Sequence, residues 1–198
     1  MSLSSQSRIG IFALLAILMA ATRLHHFGAL PDASWAVFFL AGFYLRGSLR
    51  WAFPALMALA VVVDYLVITG QGLNFWTHYC VSPAYWFLLP AYLALTLGGA
   101  WLGKRYRGLG ARELGLLAGS AFVSISVCYL ISNGSFYWLS DVVSEPSFAG
   151  WMKNLSDWYL PYLRTTGLYL GLAAAIHSVA VMALHTLGDA GERDRAKR

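Results

Sequence analysis

Six apolar stretches divide this chain, and they leave it almost no way to fold in water. They cover residues 8–22, 34–45, 51–69, 83–103, 113–133 and 161–187, each bounded by charge, Pro or Gly. Crossing the hydrocarbon of a bilayer as a helix takes about 20 apolar residues, and most of these stretches approach that length. Composition agrees: 59% of residues are hydrophobic and 12% charged, whereas a soluble domain carries about 25% charge. The second stretch is short, so it is either extended by its neighbours or bent, and Gly42 permits a bend. No A-x-A cleavage site follows the first stretch, which is therefore expected to stay as a span. The expectation is one all-α membrane domain, 1–198, with six transmembrane helices.

Basic residues set the orientation. With a cytoplasmic N-terminus, 11 of the 14 Lys and Arg fall on the inside and only Arg23, Lys153 and Arg164 on the outside. That is a strong positive-inside bias, and it puts both termini in the cytoplasm. The net charge of +5 then reflects contact with the inner leaflet of the lipid bilayer. Nucleic acid is not expected as a partner, because the basic loops lack interleaved stacking aromatics.

Three connections are left outside: 25–33, 70–82 and the long segment 134–160. The last carries Phe136, Tyr137, Trp138, Phe148, Trp151, Trp158 and Tyr159. It is too aromatic for disorder and too long for a bare link, so an extracytoplasmic cap loop is expected, with a short helix around 147–158. The inside connections are terse. Recognition is thus expected to face away from the cytoplasm, as capture of an external solute requires.

No P-loop, H-E-x-x-H, G-x-S-x-G or C-x-x-C is present, so energy for any transport must come from a partner or a gradient. Two cysteines cannot build a zinc ribbon. Cys128 lies in the fifth apolar stretch and reads as a packing residue. Cys80 is different. It sits in Asn74-Phe75-Trp76-Thr77-His78-Tyr79-Cys80-Val81-Ser82-Pro83, a connection with no Lys or Arg. Exposed thiols oxidise, so a thiol kept there suggests a soft-metal ligand or a nucleophile, with a passive interfacial residue as the plain alternative. One protein ligand suffices only for a metal that arrives in its own chelate, which describes a corrinoid or a haem. Phe75, Trp76, Tyr79, Tyr85 and Trp86 supply flat walls for such a macrocycle, and His78 could tune the thiol or take the axial role itself. The competing reading is a membrane enzyme with Cys80 as nucleophile and His78 or His25 as base.

Other polar residues add candidates. Asp64 falls inside the third stretch, where an ionisable group is costly; it is either a cavity contact or paired with a neighbouring helix. Arg23, His25, His26 and Asp32 cluster at the first outside connection. Asn74, Asn133, Asp141 and Asn154 are further candidate amide partners. His177 and His185 share a face of the last stretch.

The overall pattern resembles the substrate-binding (S) components of energy-coupling-factor (ECF) vitamin transporters. More closely, Arg23-Leu24-His25-His26-Phe27, the loop Trp76-Thr77-His78-Tyr79-Cys80-Val81-Ser82-Pro83, and Tyr85 look like the BtuM family of small bacterial cobalamin transporters. The likeness covers nearly the whole chain, and the Cys80 loop is its most specific part. It implies a bacterial inner-membrane transporter, not an enzyme, with no prosthetic group and with cobalamin as bound substrate. It also implies Cys80 as axial ligand to the cobalt; the residues themselves make Asn74, Phe75, Trp76, His78, Tyr79, Tyr85, Arg23, His26 and Asp64 the expected surrounding site. Base-off binding follows, with slow loss of a trans cyanide as a side reaction. S-components usually dock on a coupling module through an A-x-x-x-A face, which Ala16 and Ala20 match here. BtuM-type proteins are thought able to act without that module, so both arrangements stay open.

Overall fold

Every one of the six apolar stretches forms a helix. The computed structural model describes residues 4–24 and 31–195, and among them there is no strand. The helices are α1 (Ser5–Leu24), α2 (Ser34–Tyr44), α3 (Leu49–Gly70), α4 (Leu88–Arg105), α5 (Ala111–Leu139) and α6 (Phe148–Arg195). Five helical segments are long and apolar enough to cross a membrane: Ser5–Leu24, Arg46–Gly70, Pro83–Arg105, Ala111–Leu139 and Phe148–Leu184. The exception is α2, with 11 residues.

That short helix is the centre of the molecule. Trp35, Ala36, Val37, Phe38, Phe39 and Ala41 are all buried, and α2 packs chiefly on α4, then on α1, α3 and α6. The α2–α4 contact depends on missing side chains. A Cβ on Gly42 would stand 2.0 Å from the Thr96 carbonyl oxygen, and one on Gly99 would stand 1.9 Å from that of Phe39. Small residues let backbones touch in this way, and the gain is van der Waals contact. Aromatic stacking extends the core outward: Phe38 on Tyr92 at 4.5 Å and Trp35 on Tyr162 at 4.7 Å between ring centroids.

Helix ends follow local chemistry. Ser4 Oγ accepts from the Ser7 amide at 3.1 Å and caps α1. At the far end of α3, Gly72 adopts φ +76°. Its amide reaches the Thr69 carbonyl, and the Leu73 amide reaches that of Ile68, a Schellman ending that needs a residue tolerant of positive φ.

Segment 134–160 departs from the expected cap loop. Gly134–Leu139 forms the last turns of α5, and only residues 140–147 connect it to α6. Ser147 explains the early start. Its hydroxyl accepts from the Gly150 amide at 3.2 Å, while its own amide donates to the Tyr137 hydroxyl at 3.2 Å. α6 therefore begins 13 residues before Pro161 and carries that proline in its interior, with one amide missing from its ladder. Further interhelical bonds tie this end together: Asn133 Nδ2 to Asn154 Oδ1 at 2.6 Å, and the Tyr129 hydroxyl to the Leu155 carbonyl at 2.9 Å.

Candidate functional site

The connection from α3 to α4 is a run of three 3-10 turns, Phe75–Thr77, Tyr79–Val81 and Pro83–Phe87. Polar side chains start the first two. Asn74 Oδ1 accepts from the Trp76 amide at 2.9 Å, and His78 Nδ1 accepts from the Cys80 amide at 3.3 Å. Pro83, with its fixed φ, opens the third. The result is a rigid platform that holds Cys80 half-buried. Trp76, Tyr79 and Trp86 project from it, exposed by 75%, 55% and 76%. Phe75 points the other way: it is buried between Tyr65 and Tyr85 and supports the platform from beneath.

Under the platform lies a buried polar cluster. Arg23 Nε and Nη2 donate to the two carboxylate oxygens of Asp64 at 2.6 and 2.7 Å. Its Nη1 donates to Asp32 at 3.2 Å, Ser34 Oγ at 3.1 Å and the Tyr92 hydroxyl at 3.2 Å. Every guanidinium nitrogen is engaged, as a buried charge requires. Asp32 is held in turn by the Ser34 amide and hydroxyl at 2.8 and 2.6 Å. The Tyr85 hydroxyl donates to Asp64 at 2.7 Å, so the turn after Cys80 is tied directly to α3 and, through Arg23, to α1.

Burial pushes the Cys80 thiol above its ordinary range. A hydrogen bond with the Tyr79 hydroxyl pulls it down, Asp64 raises it and Arg23 lowers it. Tyr79 is itself raised, chiefly by that bond to Cys80. The net effect keeps Cys80 as a thiol at neutral pH. A Cys–His pair would need a base on the sulfur, yet His78 Nδ1 is taken by the Cys80 amide. A thiol held protonated in this way is a weak nucleophile until its proton is taken. A soft metal brought to it would displace the proton on binding. Among the described residues, no group of three or more His, Cys, Asp or Glu could hold a bare ion.

The structure brings Asn74, Phe75, Trp76, His78, Tyr79, Cys80, Tyr85, Asp64 and Arg23 to one end of the bundle. His25 and His26 lie outside the described residues. Arg23, expected at the rim, is buried at the end of α1. The sequence reading missed Ser34 and Tyr92, which complete the Arg23 shell, and Ser82, whose hydroxyl is buried without a hydrogen-bond partner beside the platform. Only a polar residue in an apolar run could have signalled Tyr92 and Ser34, and hydroxyls are too common in such runs to stand out. Cys128 is fully buried and unpaired, as a packing residue. Ala16 packs partly against the core and Ala20 is half-buried. Two cavities flank the platform, about 400 Å³ beside Tyr65, Leu73 and Trp76, and about 200 Å³ below Tyr85 and Trp86. Compared with known proteins, the chain matches no family model and no curated protein sequence.

Proposed function

We propose that this chain is a bacterial inner-membrane uptake protein for cobalamin, with Cys80 as axial ligand to the cobalt. The observation that carries the reading is the setting of Cys80: a half-buried, protonated thiol beside Tyr79, on a connection that also presents the exposed rings of Trp76 and Trp86. A thiol of this kind suits a metal that arrives already chelated and lowers the thiol pKa itself. The exposed rings offer flat faces to a corrin. The proposed topology has six spans with both termini in the cytoplasm, supported by the positive-inside bias. The cobalamin then enters from outside, base-off, since its benzimidazole must vacate the face that sulfur takes. A strongly donating thiolate weakens the trans ligand, so cyanide there is lost slowly. Cys80 lines neither the cavity of about 400 Å³ nor that of about 200 Å³, so the corrinoid is proposed to lie on the exposed face of the platform. Docking on a coupling module through Ala16 and Ala20, or uptake without one, completes the proposal.

The test is the visible absorption spectrum of protein purified from cells grown with cobalamin, for wild type and Cys80→Ala. A stoichiometric corrinoid band in wild type, shifted or lost in the variant, supports substrate and ligand together. A colourless wild type that also fails to bind added cobalamin refutes the assignment and brings the thiol-enzyme reading forward.

A further inference from the structure

The end of the bundle opposite Cys80 holds an apolar cavity of about 270 Å³ with a polar closure. α4 separates the two ends by 18 residues, about 27 Å at 1.5 Å per residue. Phe39, Leu40, Leu102, Leu117, Leu170 and Ala174 are among its walls, contributed by α2, α4, α5 and α6. At its edge, His177 of α6 bonds with both ring nitrogens: Nδ1 to the Tyr44 hydroxyl at 3.0 Å and Nε2 to the Tyr106 hydroxyl at 2.8 Å. Tyr44 ends α2, and Tyr106 begins the α4–α5 link. One imidazole thus ties α6 to the closely packed ends of α2 and α4, and α6 otherwise packs only sparingly on α2 and α4.

The link past Tyr106 is glycine-rich. It runs Tyr106-Arg107-Gly108-Leu109-Gly110, and Gly108 sits at φ +153° with nothing near its absent Cβ. Gly108, Leu109 and Gly110 line the cavity directly, so swinging the link away opens it. Burial and Glu113 raise the Tyr106 hydroxyl above its ordinary value, which keeps its proton available to the imidazole.

We propose that Tyr44, His177 and Tyr106 form a latch that closes the bundle at the end opposite Cys80, with the 106–110 link as its moving part and the apolar cavity as the vestibule behind it. This deepens the uptake reading and rests on it: a solute held at one end leaves through the other, and the latch is the barrier there. The parts are suited to that role. Two neutral hydrogen bonds hold firmly but break without stranding a charge, and the hydroxyls and imidazole find water once the link swings out.

The test is a reporter cysteine, Ala174→Cys, in a Cys80→Ala background, labelled with a charged, water-soluble maleimide in detergent. Ala174 is half-buried on the wall of this half-open cavity, so the labelling rate reads how freely water reaches it. Tyr44→Phe with Tyr106→Phe removes both hydroxyls and little else, and should speed labelling at least about tenfold. His177→Gln keeps a donor and an acceptor and should stay closer to the parent rate. A second reporter, Thr69→Cys at the other end, should be unaffected. Unchanged labelling of residue 174 in the double variant overturns the latch. So does faster labelling of both reporters, which marks general loosening, and so does His177→Gln labelling as fast as the double variant. No corrinoid enters this assay, so a failed absorption test would sink the uptake reading while leaving the latch result legible.

Discussion

Removing the Asp64 carboxylate should cost more than removing the whole ion pair. Asp64 takes both oxygens' worth of charge-assisted bonds from Arg23, at 2.6 and 2.7 Å, and a third bond from Tyr85. Arg23 and Asp64 side chains are only 9% and 17% exposed. In Asp64→Ala the guanidinium keeps one carboxylate neighbour, Asp32, and loses its two shortest bonds. Stripping one partner from a buried pair costs about 3–5 kcal/mol. For a chain of this size that is roughly 10 °C in Tm. The double variant Arg23→Met with Asp64→Leu leaves no stranded guanidinium, and Asp32 keeps its two bonds from Ser34. It should recover at least half of the loss, because well-packed apolar replacements of buried pairs are often near neutral. The assay is thermal unfolding in detergent followed by tryptophan fluorescence, with Arg23→Met completing the cycle. A loss below about 1 kcal/mol in Asp64→Ala, or a double variant equal to the sum of the singles, would refute the reasoning.

Four further outcomes are expected. Gly99→Ala places a methyl 1.9 Å from the Phe39 carbonyl oxygen; backbone cannot yield there, so the α2–α4 contact should open and monodisperse protein should be lost on size-exclusion chromatography. Gly119→Ala, with nothing within 4 Å, should be neutral or gain up to about 1 kcal/mol from helix propensity. Alkylation of Cys80, followed by mass spectrometry across a pH series, should rise only above the range of a free thiol. Its folded pKa is raised, so the thiolate appears later as pH increases, and Asp64→Asn, by removing a charge that raises it, should move the midpoint down. A midpoint at or below about 8.5 would contradict the burial argument. Cys128→Ala should cost roughly 1 kcal/mol through a small cavity and leave any corrinoid band untouched, since Cys128 is sealed inside α5.

The helices were readable because lipid leaves a backbone few other solutions, so apolar length alone located α1 to α3 within about three residues, whereas α5 runs six residues past its stretch, to Leu139. A short helix around 147–158 was expected, and α6 does start at Phe148; what was not readable is that it runs on through Pro161 into the last span, because Pro161 looks like a first-turn residue. At the site, Cys80 stood out by chemistry. The pairing of Asp64 did not: a mid-span carboxylate announces that it needs a partner, but which residue answers depends on how α1 and α3 pack, and Arg23 lies 41 positions away. The opposite roles of Phe75 and Trp76 were equally hidden. They are adjacent and chemically alike, and only the turn beginning at Asn74 decides which ring faces inward.

The shortness of α2 has a consequence for how the protein is made. An 11-residue helix extends only about 17 Å, well short of the roughly 30 Å hydrocarbon slab. Inserted by itself it would drag polar backbone ends into lipid. Its flanks are also unlike those of a span, because Arg46 of the following turn donates to the Gly103 carbonyl of α4. During biosynthesis α2 therefore has no stable resting place until α4 has been delivered beside it. The segment most central to the finished bundle thus waits on residues translated some 50 positions later.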